Sequence, residues 1–451
     1  MLYGLFQSIV AIGRALSLLN SSHRFFAVTG TIGNPGPLGG FLAIATICSA
    51  ALFRQSLREK KTRRILANGI ICGFLICGLL LTDSRAAFLS VLTGLAIVWG
   101  DVIGKLFKNR RVIILIIIAL FALTLCLVLY FHRPASANAR LLIWRVSAEM
   151  IAESPLFGHG AGVFDREYML YQAAYFEQYP QSSFAMVADN AAYPYNEWIH
   201  VSIEFGLLGA CLLFAVFITG FACRSSNIIL LSLKAGLSTF FVFSLFSYPA
   251  EIFELLLIPP VLLGTLSSKP ICKIPVFRCM KIVGIGLLVV IMFFTAAGIY
   301  VSRKIFDEIK QLTVSEAQIP TPYCERYFPV FAYNESFNAA YLSALCRLPC
   351  QSDREAKIKN IFPSSEAFCR LGEVCECSGE YKQAEQFYLK AANMVPNRIS
   401  PNYHLQRLYV KLGKHNQARA AALKILSQPV KVENTFTLQV KGEMKMYLKQ
   451  M

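Results

Sequence analysis

The run VIILIIIALFALTLCLVLYF, residues 112–131, contains no charged side chain. Wound as a helix at about 1.5 Å per residue it reaches roughly 30 Å, the thickness of a bilayer's hydrocarbon core. A second uncharged run, IVGIGLLVVIMFFTAAGIY, occupies residues 282–300. Further apolar stretches cover 1–19, 36–53, 65–81, 86–100, 200–221, 228–247 and 252–266. The last two are weaker, since each holds one charge (Lys234, Glu254) and Pro259-Pro260 interrupts the second. The first carries Arg14 and no basic leader, so it does not read as a cleavable signal peptide. Charged residues make up 16% of the chain, against about 25% in soluble domains. Nine membrane spans are expected.

Lys and Arg concentrate in 54–64, 101–111 and 267–281. A nine-span count puts all three on one face, which the positive-inside rule makes cytoplasmic. The net charge of +17 then reflects topology, and no nucleic-acid partner is expected. The other face receives the turn at 83–85, the segment 132–199 and everything after residue 300. Six of the fourteen cysteines (Cys324, Cys346, Cys350, Cys369, Cys375, Cys377) fall in that tail, where disulfides can form but their pairing cannot be read. No Cys/His spacing suits a metal, and no Walker lysine follows a glycine-rich turn, so neither metal nor nucleotide cofactor is expected.

The tail from Phe368, FCRLGEVCECSGEYKQAEQFYLKAANMVP, resembles a tetratricopeptide repeat at Phe368, Leu371, Gly372, Ala384, Tyr388, Ala391 and Pro396. Leu405, Tyr409, Gly413, Ala418 and Ala422 follow Leu371, Cys375, Gly379, Ala384 and Tyr388 at the 34-residue period. Such an array either packs only on itself or docks a protein partner. The reading is all-α: a polytopic membrane helix bundle over 1–300 with an outer loop at 132–199, then a soluble helical-repeat domain. Within the latter, 301–367 is a linker or degenerate repeat, 368–430 holds the repeats and 431–451 is a terminal tail.

The outer loop carries the chemistry. NARLLIWRVSAEMIAESP is an amphipathic helix with Leu142, Val146, Met150 and Ile151 on one side, ended by Pro155. Arg140 and Arg145 flank Trp144, suiting either an interfacial anchor or an anion site. SPLFGHGAGVF is a glycine turn whose amides either approach a phosphate or merely reverse the chain. Finally DNAAYPYNEWIHVSIEFGLLG sets Tyr193, Tyr195, Asn196 and Glu197 directly ahead of an apolar helix.

These patterns, with VTGTIGNPGPLGGFLA (28–43) and LTDSRAAFLS (81–90), resemble the O-antigen ligase and polymerase superfamily. The resemblance runs over roughly 1–266, and its combination with the repeat tail is similar to versions from Bacteroidetes-like bacteria. It implies a multi-pass glycosyltransferase of the bacterial inner membrane, with its site and C-terminal domain on the periplasmic side. The implied donor is a glycan on undecaprenyl pyrophosphate. The implied acceptor is a hydroxyl of lipid A-core, of another repeat unit in a polymerase, or of a protein in an O-oligosaccharyltransferase. Ligases of this type carry a His just before the Asn of the third pattern, or three before it. Here Tyr195 and Tyr193 hold those positions. Members also have more spans than nine, so the comparison implies a chain starting part-way into the bundle.

A pyrophosphate calls for guanidinium partners, which bind phosphate with a planar fork. Arg85, opening a span, Arg140 and Arg145 are the residues assigned to it, with pairing to Asp83 the alternative for Arg85. Glu197 is assigned as general base and Asn196 as holding a sugar hydroxyl, against the plainer reading of Asn196 as a helix cap. Tyr193 and Tyr195 are assigned to sugar rings, and Glu204 to an arginine. A non-catalytic membrane scaffold with a docking tail is the competing class, and a transporter is disfavoured because the polar residues gather in one outer loop. The topology is testable: a reporter active only in the periplasm should work when fused after residue 170 or 310 and fail after residue 60 or 275. Activity of the fusion at 60 would overturn the orientation.

Overall fold

The computed structural model describes residues 1–106 except 22, 24 and 25, then 130–222, 227–266, and 363–450 except 432, with the isolated positions 300, 304, 307 and 341. Residues 112–129 and 282–299 of the expected spans, the basic loop 267–281 and, apart from 304, 307 and 341, the segment 301–362 lie outside this set. Among the described residues regular structure is entirely helical. They divide into two compact units.

The first unit takes Met1–Arg140, Ile151–Ala161 and Tyr193–Pro270. Its helices are α1 (Leu2–Ala15), α2 (Pro35–Glu59), α3 (Thr62–Leu81), α4 (Arg85–Leu106) and the start of α5 (Pro134–Glu153). Omitting α6, which belongs to the second unit, they continue as α7 (Glu197–Ala222), α8 (Ile228–Ser244), α9 (Phe253–Leu256) and α10 (Ile258–Leu266). Helix α2 is central. Leu38, Leu42, Ala43 and Ile47 are fully or nearly buried, and α1, α3, α4 and α8 pack around it. Its start is set by Asn34, whose Oδ1 accepts from Gly36 N at 2.9 Å, and by Pro35 at the first helical position.

Four described helices are long and apolar enough to cross a membrane: Pro35–Glu59, Thr62–Leu81, Arg85–Val102 and Glu197–Ala222. Exposed Leu66, Ile70 and Leu80 on α3, and Leu207, Leu212 and Phe214 on α7, form surfaces that hydrocarbon rather than water satisfies. Three expected spans come out shorter. Helix α1 ends at Ala15, about 21 Å after it starts. Helix α8 stops at Ser244, three residues early. The stretch 249–266 is divided between a 3-10 turn at Pro249–Glu251, α9 and α10, because Pro249, Pro259 and Pro260 cannot serve as interior helix donors.

The span expected over 200–221 is also not continuous. Helix α7 breaks at Gly206, whose φ of 68° and ψ of −177° belong to a region open only to glycine. In an unbroken helix Leu207 N and Leu208 N would donate to Ile203 O and Glu204 O. Instead Leu207 N donates to Pro155 O (2.8 Å) and Leu208 N to Leu156 O (3.3 Å). The abandoned Ile203 O and Glu204 O accept from His159 N and Gly160 N, both at 2.9 Å. The glycine turn thus replaces two helical bonds with four of its own. Its His159 and Gly160 amides are committed to helix carbonyls and do not serve the phosphate role considered for them.

The second unit comprises Leu141–Met150, Gly162–Ala192 and the described C-terminal residues. Helix α6 (Val163–Gln178) is followed in the tail by α11 (Ser365–Cys377), α12 (Tyr381–Met394), α13 (Ile399–Lys411), α14 (His415–Ser427) and α15 (Thr435–Gln450). Helix starts at 365 and 399, and at 381 and 415, are each 34 residues apart. Gly379 and Gly413 have positive φ in the two turns, and Ala384 and Ala418 are fully buried between helices. The segment from Gln172 to Ala188 is sewn onto this array. Buried Gln172 donates to Met394 O at 2.6 Å, and Asn397 Nδ2 donates to Ala185 O, Met186 O and Ala188 O at 3.0, 3.4 and 2.7 Å. Cys369 and Cys377 are free thiols, and burial pushes that of Cys369 up to about 12. Cys324, Cys346 and Cys350 lie outside the described residues.

A Cβ on Gly206 would lie 2.2 Å from Leu156 O, and one on Gly158 2.5 Å from Glu204 O. Gly206→Ala and Gly158→Ala should each destabilise the purified protein by ~2–4 kcal/mol, read as a lower thermal midpoint in detergent. Gly73→Ala, mid-helix with open space around it, should be neutral or stabilising. Equal midpoints for all three would show that the break carries no structural weight.

Candidate active site

The first unit gathers its polar side chains around the stretch 246–250. Arg140, half-buried on α5, donates from Nη1 to Phe246 O at 3.0 Å, and its guanidinium lies 5.2 Å from the Tyr195 ring centroid. Burial, then the positive charge of Arg85, pull the Arg140 guanidinium below its ordinary value. An arginine nevertheless stays charged, so two cations are held within electrostatic reach of each other, an arrangement that favours a multiply charged anion. Arg85, the first residue of α4, donates from Nη2 to Ser136 Oγ at 3.1 Å. Asp83, considered as its ion-pair partner, makes its salt bridge with Arg133 and acts on Arg85 through its charge.

Tyr195 reaches Arg140 from a backbone at φ 52°, a left-handed conformation uncommon outside glycine. Tyr193 stacks flat on Tyr248, with centroids 4.3 Å apart and planes at 8°, and Tyr195 meets the same ring edge-on at 5.4 Å. Both are favourable aromatic geometries. Asn34 Nδ2 donates to the Tyr248 hydroxyl at 3.1 Å, tying the first glycine-rich pattern into the cluster. Burial raises the Tyr248 hydroxyl above its ordinary value, so it remains a neutral phenol.

On α7, Asn196 Oδ1 accepts from Trp198 N (2.9 Å) and Ile199 N (3.2 Å), so Asn196 caps the helix. Trp198 is fixed by Nε1 donating to Ser244 Oγ at 3.0 Å and by Phe214, Phe217 and Phe241 around it. Glu197 is 9% exposed, and its Oε2 accepts from Ala250 N at 3.3 Å. His200 sits between two carboxylates, 3.9 Å from Glu197 Oε1 and 3.3 Å from Glu204 Oε1. Glu204 thus faces a histidine on its own helix. Arg145 is exposed and groups with the second unit, apart from the residues just described.

Residues 70–214 are similar to a family described as O-antigen ligase. No curated protein and no solved structure matches the chain. The similarity indicates a membrane function of the O-antigen ligase or polymerase type, in a family of ligase- or glycosyltransferase-like enzymes. With the apolar helices it marks a membrane protein. The match takes in Arg85, Arg140, Tyr193, Tyr195, Asn196, Glu197 and His200. It stops before Tyr248 and the tail.

Two of these residues were not among those assigned a role from the sequence. His200 was legible, because Glu197, His200 and Glu204 at i, i+3 and i+7 share one helical face. Tyr248 had no local signal, since its partners are scattered from residue 34 to residue 195. Its weight can be measured. Tyr248→Phe keeps both ring contacts and loses one hydrogen bond, a cost of about 1 kcal/mol. Tyr248→Ala removes the ring that holds Tyr193 and Tyr195 and should cost ~3–5 kcal/mol. Thermal unfolding in detergent reads both, and equal midpoints would remove Tyr248 as the organising ring.

Proposed function

We propose that this protein is a membrane glycosyltransferase of the O-antigen ligase type. It would transfer a glycan from undecaprenyl pyrophosphate to an acceptor hydroxyl on the periplasmic side of the bacterial inner membrane. The observation that carries the reading is Arg140, half-buried over Tyr195 and beside the charge of Arg85, within the part of the chain similar to O-antigen ligases. Two guanidinium groups in a poorly hydrated site suit a pyrophosphate whose negative charge grows as it leaves.

In this reaction the acceptor oxygen attacks the anomeric carbon and forms the new glycosidic bond. The bond from that carbon to the pyrophosphate oxygen breaks, and the oxygen keeps the electron pair. Arg85 and Arg140 stabilise the leaving pyrophosphate. The acceptor's proton goes to the Glu197 carboxylate, which the Ala250 amide holds in place. Asn196 sets the start of α7 and so the position of Glu197, while Tyr193 and Tyr195 offer aromatic surface to sugar rings. The acceptor is lipid A-core or another glycan or protein hydroxyl, and the tail acts as a tetratricopeptide-type array that meets the acceptor or a protein partner.

The test is restoration of long-chain surface glycan, read as a gel ladder, in a cell lacking its own ligase. Arg140→Lys keeps the charge but loses the fork, and should lower transfer by roughly 10²-fold at unchanged protein level. Glu197→Gln should lower it by roughly two to four orders of magnitude. A normal ladder from Arg140→Lys would discard the pyrophosphate site, and one from Glu197→Gln would discard the base. Loss of the ladder on deleting the tail alone, with both point variants silent, would instead indicate a scaffold.

A further inference from the structure

The second unit holds a cavity of about 310 Å³ that the transfer reaction does not use. Asp189, Asn397, Arg398, Ile399, Lys431 and Phe436 line it. Asn397 is 7% exposed. Its Nδ2 is committed to the three carbonyls at 185, 186 and 188, so Oδ1 is the atom it has left for a ligand. Arg398 Nη2 donates to Asp189 Oδ1 at 2.9 Å, and Lys431 Nζ donates to Asp189 Oδ2 at 2.8 Å. Burial alone would raise the Asp189 carboxyl, but Lys431 and Arg398 outweigh it and hold the group below its ordinary value. The carboxylate is therefore charged at neutral pH. Phe436 shows 45% of its surface at the rim, beside the apolar side chain of Ile399.

The mixture selects a ligand class. A phosphate or carboxylate would have to displace Asp189 from the two cations that already hold it. A bare apolar group would leave Asn397 Oδ1 without a hydrogen-bonding partner and strip water from the ion pair. Arg398 is held by Glu366 as well as by Asp189, so the donor left to a ligand is Lys431. A sugar hydroxyl both donates and accepts, so a ring of hydroxyls can donate to Asp189 and Asn397 Oδ1 while accepting from Lys431. The C–H face of a pyranose can lie on Phe436. The volume falls at the small end of the roughly 300–1,000 Å³ of small-molecule sites.

We propose that this cavity is a glycan-binding subsite that takes a neutral hexopyranose ring, separate from the cluster around Arg140. The inference stands on the lining residues and does not require the transferase reading. Its test uses the full chain in a sugar-free detergent, with saturation-transfer NMR against glucose, galactose and N-acetylglucosamine, and inorganic phosphate as a separate probe. At least one sugar should give a signal. Phe436→Ala and Lys431→Ala, both changes at exposed side chains, should each weaken binding tenfold or more. Leu438→Ala, at an exposed side chain of the same helix as Phe436 but outside the cavity lining, should leave the signal in place. Three outcomes overturn the proposal: no sugar signal, binding of phosphate alone, or a sugar signal that survives both tail variants.

Discussion

The break in α7 at Gly206 is the constraint on which the first unit depends. Inside hydrocarbon an unsatisfied amide or carbonyl costs several kcal/mol, so an apolar helix cannot interrupt its ladder without another source of partners. The turn at 155–160 is that source. It supplies Pro155 O and Leu156 O to the two orphaned amides and takes up the two orphaned carbonyls through His159 N and Gly160 N. Gly158 and Gly206 are where the two backbones approach closest, and any side chain there would collide with main-chain atoms. The SPLFGHG and EFGLLG patterns are thus two halves of one joint.

That joint has a consequence for chemistry. Fixing 155–160 against α7 anchors the end of α5, and Arg140 lies on the same helix. The first turns of α7 present Glu197, His200 and Glu204 on the N-terminal side of the break, before the purely apolar part of the helix begins. The stretch 246–250 then links the two sets: Phe246 O holds Arg140, the Tyr248 ring holds Tyr193 and Tyr195, and Ala250 N holds Glu197. Arg140, the aromatic surface and the carboxylate are positioned by one short connector. Each side chain is locked by a neighbour, which is the preorganisation that electrostatic catalysis needs.

The second unit is built on different physics. Its helices bury one face each, and Ala384 and Ala418 set how closely they approach. Polar seams then attach the segment around α6, through Gln172, Asn397 and the Asp189 ion pairs. These seams use the backbone carbonyls of 185, 186 and 188, at and just beyond the end of the short 3-10 turn Ser183–Met186, where no longer helix supplies partners.

By itself the sequence determined the elements whose signals are local. The uncharged runs marked α2, α3, α4 and α7, the 34-residue period marked α11 to α14, and the outer-loop patterns named Arg140, Tyr193, Tyr195 and Glu197. Hydropathy and periodicity over a dozen residues suffice for such features. The tertiary structure decided the rest. It converted one expected span into a broken helix, turned the glycine loop from a phosphate cradle into a backbone patch, and made Asn196 a cap. It also brought forward His200 and Tyr248. The reason is that these outcomes depend on pairings such as Gly158 with Glu204, Asn34 with Tyr248 and Asp189 with Lys431. Partners dozens to hundreds of residues apart meet only once the helices have packed, and no local pattern records which of them will be neighbours.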